Sequence, residues 1–119
     1  MEIKLFDSEL KIMDILWKEG DTTAKRIAEI IKEQVGWSKT TTYTVIKKCL
    51  IKGAIERQEP NFVCHAVVTR EQAQQYETTE LINRMFDRNT DRLIASILGS
   101  KKLTPHEIEH LKQLVNRLE

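Results

Sequence analysis

The stretch from Ser38 to Gly53 reads SKTTTYTVIKKCLIKG and predicts a helix with two unlike faces. Serine is a preferred N-cap and glycine a preferred helix stop, so the helix runs between these two residues. At about 100° per residue, one face is largely apolar: Thr42, Ile46, Cys49 and Leu50. The opposite face carries hydroxyls and cations: Thr40, Thr41, Thr44, Lys47 and Lys48. The helix therefore packs by one face and presents a polar surface with the other.

A β-hairpin is predicted directly after this helix. Ala54 to Gln58 and Phe62 to Val68 are short β-prone runs, and Glu59-Pro60-Asn61 between them is typical of a turn. This turn is short and contains no basic residue.

Two further helices are predicted before Ser38. Asp7 or Ser8 can cap the first, and Gly20 ends it in a left-handed C-cap. Thr22 or Thr23 opens the second. Apolar residues recur at helical spacing in both: Leu10, Met13, Leu16 and Trp17, then Ala24, Ile27, Ala28, Ile31 and Val35.

The order of three short helices and a hairpin is the winged helix-turn-helix arrangement. In that arrangement the third helix enters the major groove of DNA. We therefore predict a mainly α fold with a small β-hairpin, in which residues 1–69 form a winged-helix DNA-binding domain.

Residues 70–119 carry helix signals and no hairpin signals. Thr69-Arg70-Glu71-Gln72 is a capping box that opens a long helix to about Arg88. Thr90 caps a short helix closed by Gly99. Thr104-Pro105-His106-Glu107 combines an N-cap, a proline at the first helical position and a capping-box glutamate, so it opens a last helix.

These last three helices are too apolar to stand alone at a surface and too few to build their own core. Pairing with the same segment of a second chain covers them, and a two-fold dimer is the commonest such arrangement. We expect residues 70–119 to form a helical dimerisation segment; the alternative is that they fold back onto the first domain. The candidate dimerisation residues are Tyr76, Leu81, Met85, Phe86, Leu93, Ile97, Ile108, Leu111 and Val115.

Charge is concentrated around the third helix, although the net charge is only +1. Between Trp37 and Arg57, Glu56 is the single acid, against five basic residues: Lys39, Lys47, Lys48, Lys52 and Arg57. A basic strip on a near-neutral protein indicates a DNA-binding surface, and a solvated helix face is the alternative. Lys47, Lys48 and Lys52 are expected to supply charge for the phosphate backbone.

The candidate DNA-binding residues lie on the exposed side of the third helix. Threonine hydroxyls can donate to phosphates or contact base edges, and their methyl groups can pack against thymine. Threonine is a weak helix former, so its abundance here favours function; a polar helix start is the alternative. The residues are Ser38, Lys39, Thr40, Thr41, Tyr43, Thr44, Lys47 and Lys48.

Other function classes are disfavoured. No apolar run approaches the ~20 residues of a membrane span, and the first ten residues do not form a signal peptide. Cys49 and Cys64 lack metal-ligand spacing and are expected to be reduced thiols, so we expect a cytoplasmic protein. No phosphate loop or catalytic triad occurs, which predicts that the protein is not an enzyme and uses no cofactor.

One motif resembles a zinc-protease site. His106-Glu107-Ile108-Glu109-His110 matches H-E-x-x-H, in which two histidines bind zinc and the glutamate acts as base. Only nine residues follow it, and Glu107 is explained by helix capping, so we expect no metal. His65 is interpreted as an exposed strand residue rather than a ligand.

Three segments resemble the penicillinase-repressor family of the BlaI/MecI type. Trp37 to Lys48 is similar to its recognition helix, Glu9 to Trp17 to its first helix, and Leu103 to Leu111 to the start of its last helix. The resemblance implies a dimeric transcriptional repressor acting on a two-fold operator, often of β-lactam-resistance genes. It also implies a membrane sensor-protease system that relieves repression.

The chain departs from that family in several places. Thr40 and Tyr43 occupy positions that are often basic, so the operator sequence is expected to differ. Leu93 to Ile97 matches the family's cleavage region but lacks the Asn-Phe pair of some members, and no cysteine-rich tail for copper sensing is present. The competing hypothesis is a winged-helix module that binds a protein; it requires an apolar exposed face on the third helix, where only Ile51 is apolar.

Overall fold

The computed structural model describes residues 2–99 and 104–118, with side chains described through Gln113. The elements are α1 (Asp7–Glu19), β1 (Thr22–Thr23), α2 (Ala24–Gln34), α3 (Lys39–Lys52), β2 (Ile55–Gln58), β3 (Val63–Ala66), α4 (Arg70–Met85), α5 (Thr90–Gly99) and α6 (Pro105–Leu118). The predicted mainly α class with a small hairpin is confirmed. Across the described residues, no helix has the length and apolarity needed to cross a membrane.

The sheet has three antiparallel strands in the order β1-β3-β2. The predicted hairpin is confirmed as β2 and β3, with Arg57 opposite Cys64 and Glu56 opposite His65. The sequence did not predict β1. Its two threonines pair with Val63 and Cys64, so this strand exists only through a long-range partner.

The core of the winged-helix region lies between α1, α2 and α3. Its fully buried apolar side chains include Ile12, Met13, Ile27, Ile31 and Ile46. Some positions on the predicted apolar faces are less buried than expected. Val35 is 42% exposed because the helix ends at Gln34, and Leu10, Trp17 and Leu50 are only half-buried. Val45 joins the buried face instead, since it lies between Thr42 and Cys49 on the same side of α3.

The start of α1 differs from the prediction. Phe6 is the N-cap, and its backbone N–H donates to the Glu9 carboxylate over 2.7 Å, so neither Asp7 nor Ser8 caps the helix. Gly20 has φ 82° and ψ −162°, which is not the predicted left-handed C-cap. Near the other end of α1, the half-buried Trp17 donates its indole N–H to the Val68 carbonyl over 2.9 Å.

Several predicted helix boundaries are confirmed. Thr23 accepts from the Arg26 N–H at the start of α2, and Ser38 accepts from the Thr41 N–H at the start of α3. Gly53 closes α3 in the left-handed conformation at φ 80°, where a side chain would be strained.

The C-terminal helices also begin largely as predicted. Thr69 and Gln72 exchange the two bonds of a capping box, as do Thr104 and Glu107. The first of these helices ends at Met85 rather than near Arg88. Thr90 is the first residue of α5 rather than its cap, since the Asn89 side chain accepts from the Arg92 N–H.

The chain divides into two compact units, residues 1–78 and 79–119, with the boundary inside α4. The first unit contains the buried core. In the second, no described side chain of residues 79–99 and 104–113 is buried. The predicted division at residues 69 and 70 stays a prediction about domains.

Candidate nucleic-acid interface

The two faces of α3 are as unlike as the sequence predicts. Thr42, Val45, Ile46 and Cys49 are buried. The opposite side is exposed along its length: Lys39, Thr40, Thr41, Thr44, Lys47 and Lys48. Substitutions on the exposed side therefore leave the core intact.

Hydroxyl groups along α3 are held by bonds within the helix. Ser38 donates its hydroxyl to the Thr41 oxygen over 3.0 Å, so the Thr41 O–H can donate outward. Thr44 donates its own hydroxyl to the Thr40 carbonyl over 2.9 Å. Thr44 therefore presents a methyl group and oxygen lone pairs, whereas Thr41 can present a donor.

Tyr43 is half-buried and connects α3 to the hairpin. Its ring meets the Phe62 ring edge-on, with centroids 6.0 Å apart and planes at 83°. Lys39 Nζ lies 5.7 Å from the Tyr43 ring, and the Arg57 guanidinium carbon lies 3.7 Å from the Phe62 ring. We call these four side chains the aromatic row; it has a cation at each end.

A shallow depression of about 430 Å³ lies on the same side of α3. Its lining residues are Lys39, Thr40, Tyr43, Thr44 and Lys47. Five of the predicted DNA-binding side chains are therefore brought together on one concave surface.

Lys52 does not belong to this surface. Its ammonium donates to the Glu9 carboxylate over 2.6 Å and to the Lys4 carbonyl over 2.8 Å, and it lies 4.2 Å from the Phe6 ring. Glu9 is 1% exposed, and Lys52 balances its charge. Counting Lys52 among the phosphate-binding cations was therefore wrong: this lysine fixes the end of α3 against the start of α1.

The two cysteines lie behind the interface, in the core. Both are free and fully buried. Burial, with the Glu9 carboxylate adding to it, raises the pKa of Cys49 to about 12. Burial also raises the pKa of Cys64 to about 11. Both thiols stay protonated at neutral pH, as expected for packing residues.

The hairpin carries an ion pair that the sequence did not single out. Arg57 donates its Nε–H to the Glu59 carboxylate, which also accepts from the Phe62 N–H over 3.4 Å. The bond from Arg57 lowers the pKa of Glu59, with the Phe62 N–H contributing. A sequence signal was available, because Arg57 near the end of the strand and Glu59 at the start of the turn are opposite charges separated by one residue.

The H-E-x-x-H motif has a structural role at the start of α6. Glu107 accepts from the Thr104 N–H, and His106 and His110 are both exposed. Within residues 2–99 and 104–118 no group of three potential metal ligands comes together. His65 places its Nδ1 2.7 Å from the Asp21 carboxylate on the partly exposed outer side of the sheet.

Most of the candidate dimerisation residues are neither buried nor fully exposed. Met85 is 65% exposed, and the side chain of Val115 lies outside the described part of the chain. The half-buried members are Tyr76, Leu81, Phe86, Leu93, Ile97, Ile108 and Leu111. Their assignment to a dimer interface remains a prediction.

Comparison with known proteins relates the whole chain to one group. The sequence profile of the family described as penicillinase repressor matches residues 5–117. The methicillin resistance regulatory protein MecI of Staphylococcus aureus (strain N315) is 26% identical over 116 residues, covering 96% of this chain and 94% of that protein. MecI of Mammaliicoccus sciuri is similar to the same extent.

Two solved structures share the fold. The solution structure of the DNA-binding domain of the repressor BlaI gives a TM-score of 0.56 at 20% identity, covering 60% of this chain and 90% of that one. The solution structure of monomeric Bacillus licheniformis BlaI with the blaP half-operator gives 0.53 at 20% identity and the same coverage.

Proposed function

The chain belongs to the penicillinase repressor family, and on that basis we propose that it acts as a homodimer on a two-fold operator and reads DNA with α3. Members of this family are DNA-binding regulators and not enzymes, so the chain is a DNA-binding repressor. The observation that carries the assignment to α3 is its exposed face, where hydroxyls and lysines surround one depression.

Some side chains of this face are proposed to contact DNA bases, and others the DNA phosphate backbone. Thr41 and Thr44 present outward-facing donor and acceptor atoms at the middle of the face, as contact with base edges requires. Lys39, Lys47 and Lys48 supply charge to phosphates on either side, while Ser38, Thr40 and Tyr43 complete the surface.

Dimerisation is supported by the second unit. None of its described side chains is buried, although Leu81, Leu93 and Ile108 are large and apolar. A second copy of the same segment covers such faces by two-fold symmetry and places two α3 helices on one side of the duplex. Their separation is then about one DNA turn, ~34 Å, or a multiple of it.

The name of one relative supports a proposal about the regulated genes. MecI is named as a methicillin resistance regulator, so we propose control of β-lactam-resistance or related genes in the cytoplasm. A membrane sensor-protease system is the proposed partner that relieves repression.

The test separates base reading from phosphate binding. We expect Thr44→Ala to weaken binding to an operator selected from random duplexes by about 1–3 kcal/mol, with little change on random DNA. Lys48→Ala should weaken both about equally and reduce the salt slope by about one unit. Gel-shift titrations at several salt concentrations measure both effects.

Lys18→Ala is the matched control, because Lys18 is an exposed lysine on α1, away from the α3 face. It should leave the salt slope unchanged. If the parent chain binds no duplex at low salt, the chain is a protein-binding module and the proposal is wrong. If it binds but folded Thr44→Ala and Lys48→Ala both match the parent, α3 is not the reading helix.

A further inference from the structure

We propose that Arg57 on the hairpin is a DNA-phosphate contact outside α3 and that Glu59 beside it weakens this contact. The inference rests on the proposed function, since it requires α3 to approach a duplex. It adds to that function a DNA contact outside α3, at Arg57, and a carboxylate, Glu59, that lowers the affinity for any duplex.

Arg57 lies in the strand β2 of the hairpin. Cys64 is opposite Arg57 in the hairpin and is fully buried. The Arg57 side chain therefore leaves the strand on the face of the sheet that packs on the helices. Its side chain then extends over the Phe62 ring, which meets Tyr43 of α3. The aromatic row therefore places the guanidinium beside the depression on α3, although the two segments are separate in sequence.

The Arg57 guanidinium has further donors beside the one that it gives to Glu59. Arg57 gives its Nε–H to Glu59, and its two terminal nitrogens can donate to a phosphate as a bidentate pair. The ring of Phe62 on one side and Glu59 on the other hold the planar group in one orientation. A side chain fixed in this way loses less freedom when it binds than an exposed lysine does.

Glu59 reduces the attraction of Arg57 for a phosphate. Its carboxylate lies against the same guanidinium, and the bond from Arg57 lowers its pKa, so it is ionised at neutral pH. A phosphate that approaches Arg57 therefore meets this negative charge as well. The carboxylate orients Arg57 but offsets its attraction for DNA, because two anions share one cation.

The backbone around Phe62 shows why this arrangement is stable. The Phe62 carbonyl accepts from the Ala24 N–H at the start of α2 over 3.0 Å, and its N–H donates to Glu59. One residue therefore connects the hairpin to α2, α3 and the ion pair. Movement of the hairpin away from α3 would have to break these contacts together.

The experiment uses the full-length chain and a random-sequence duplex, titrated at several salt concentrations. Arg57→Gln should reduce the salt slope by about one unit per bound chain, as expected when one phosphate contact is lost. Glu59→Gln keeps the acceptor for the Arg57 Nε–H and removes only the charge. It should raise affinity for random DNA by about threefold or more.

The matched control is Glu56→Gln. This change removes the same charge from the same hairpin. Side chains alternate along the strand β2, so Glu56 lies on the face of His65 and away from Arg57. Glu56→Gln should raise affinity by clearly less than Glu59→Gln. In the double variant Arg57→Gln with Glu59→Gln, the gain from Glu59→Gln should disappear.

The inference is overturned if Arg57→Gln leaves the salt slope of the parent unchanged. It is also overturned if Glu59→Gln and Glu56→Gln raise affinity equally, because the effect is then one of net charge alone. Arg57→Lys keeps the charge without the planar group and should retain the salt slope, with unfolding of each variant followed by circular dichroism. A parent chain that binds no duplex overturns the proposed function as well.

Discussion

Residues 2–78 and the described part of residues 79–119 are built from equally regular helices but differ in packing. The first region buries a set of isoleucines completely and also pairs the buried Glu9 with the partly exposed Lys52. The second has no buried side chain among residues 79–99 and 104–113. The helix starts do not explain this difference, because Ser38 and Thr104 both make their capping bonds.

This contrast shows that the formation of a helix and the covering of its apolar face are separate problems. Capping residues decide where a helix begins, whereas burial depends on what lies against it. In the first region, α1, α2, α3 and the sheet bury one another's apolar side chains. The second leaves its apolar side chains for another surface, which we propose to be a second copy.

The largest expected difference between the regions is in thiol reactivity. Cys49 has its pKa raised to about 12, so its thiolate fraction at pH 8 should be about a thousandfold below that of an ordinary thiol. Native protein should therefore react with iodoacetamide at least that much more slowly at Cys49 than at a cysteine introduced by Ser96→Cys. Ser96 is exposed on α5 and supplies the reference rate. Similar rates at both positions would show that the first region is not closed.

A smaller effect is expected when the internal ion pair is broken. Lys52→Met leaves the buried Glu9 carboxylate without its cation and should lower the free energy of unfolding by about 3–5 kcal/mol. Urea denaturation followed by circular dichroism measures this loss. Lys48→Met, one turn earlier on the exposed face, should change stability by less than about 0.5 kcal/mol. Equal losses in the two variants would contradict the role of Lys52 in the core.

The smallest expected effect concerns the second region. Leu93 is already half-buried within one chain, so Leu93→Ala should weaken dimerisation by less than the ~1.5–3 kcal/mol that complete burial of a leucine contributes. Sedimentation equilibrium over micromolar concentrations should then show more monomer than in the parent. Ser96→Ala, an exposed position on the same helix, is the control and should leave the dimer unchanged. A parent chain that is already monomeric at these concentrations would contradict the proposed interface.

The parts of the fold that follow local rules could be predicted from the sequence. Ser38 and Gly53 bound α3, and the capping boxes at Thr69 and Thr104 open α4 and α6, because each signal acts within one helical turn. The exposed face of α3, which is the candidate site, follows from the same periodicity. Helical spacing alone was therefore enough to locate the surface.

The features that depend on distant residues could not be predicted in this way. The Glu9 carboxylate accepts from Lys52, 43 positions later, in addition to its local bond from the Phe6 N–H. The strand β1 consists of two residues that are defined only by β3. The ion pair between Lys52 and Glu9 also explains the wrong expectation for Lys52. The sequence does not distinguish a lysine that binds a buried acid from one that faces solvent.

The two tryptophans of the chain lie near the two regions with proposed activities, DNA binding and dimerisation. Trp37 precedes Ser38 and packs half-buried against the core where α3 begins. Trp17 donates to Val68 where the hairpin leads into α4, and the Arg70 guanidinium lies 5.6 Å from its ring. The protein therefore carries an intrinsic fluorophore beside the helix proposed to read DNA and another at the connection to the proposed dimerisation segment. In a Trp17→Phe variant the remaining emission reports on α3, and in Trp37→Phe it reports on that connection.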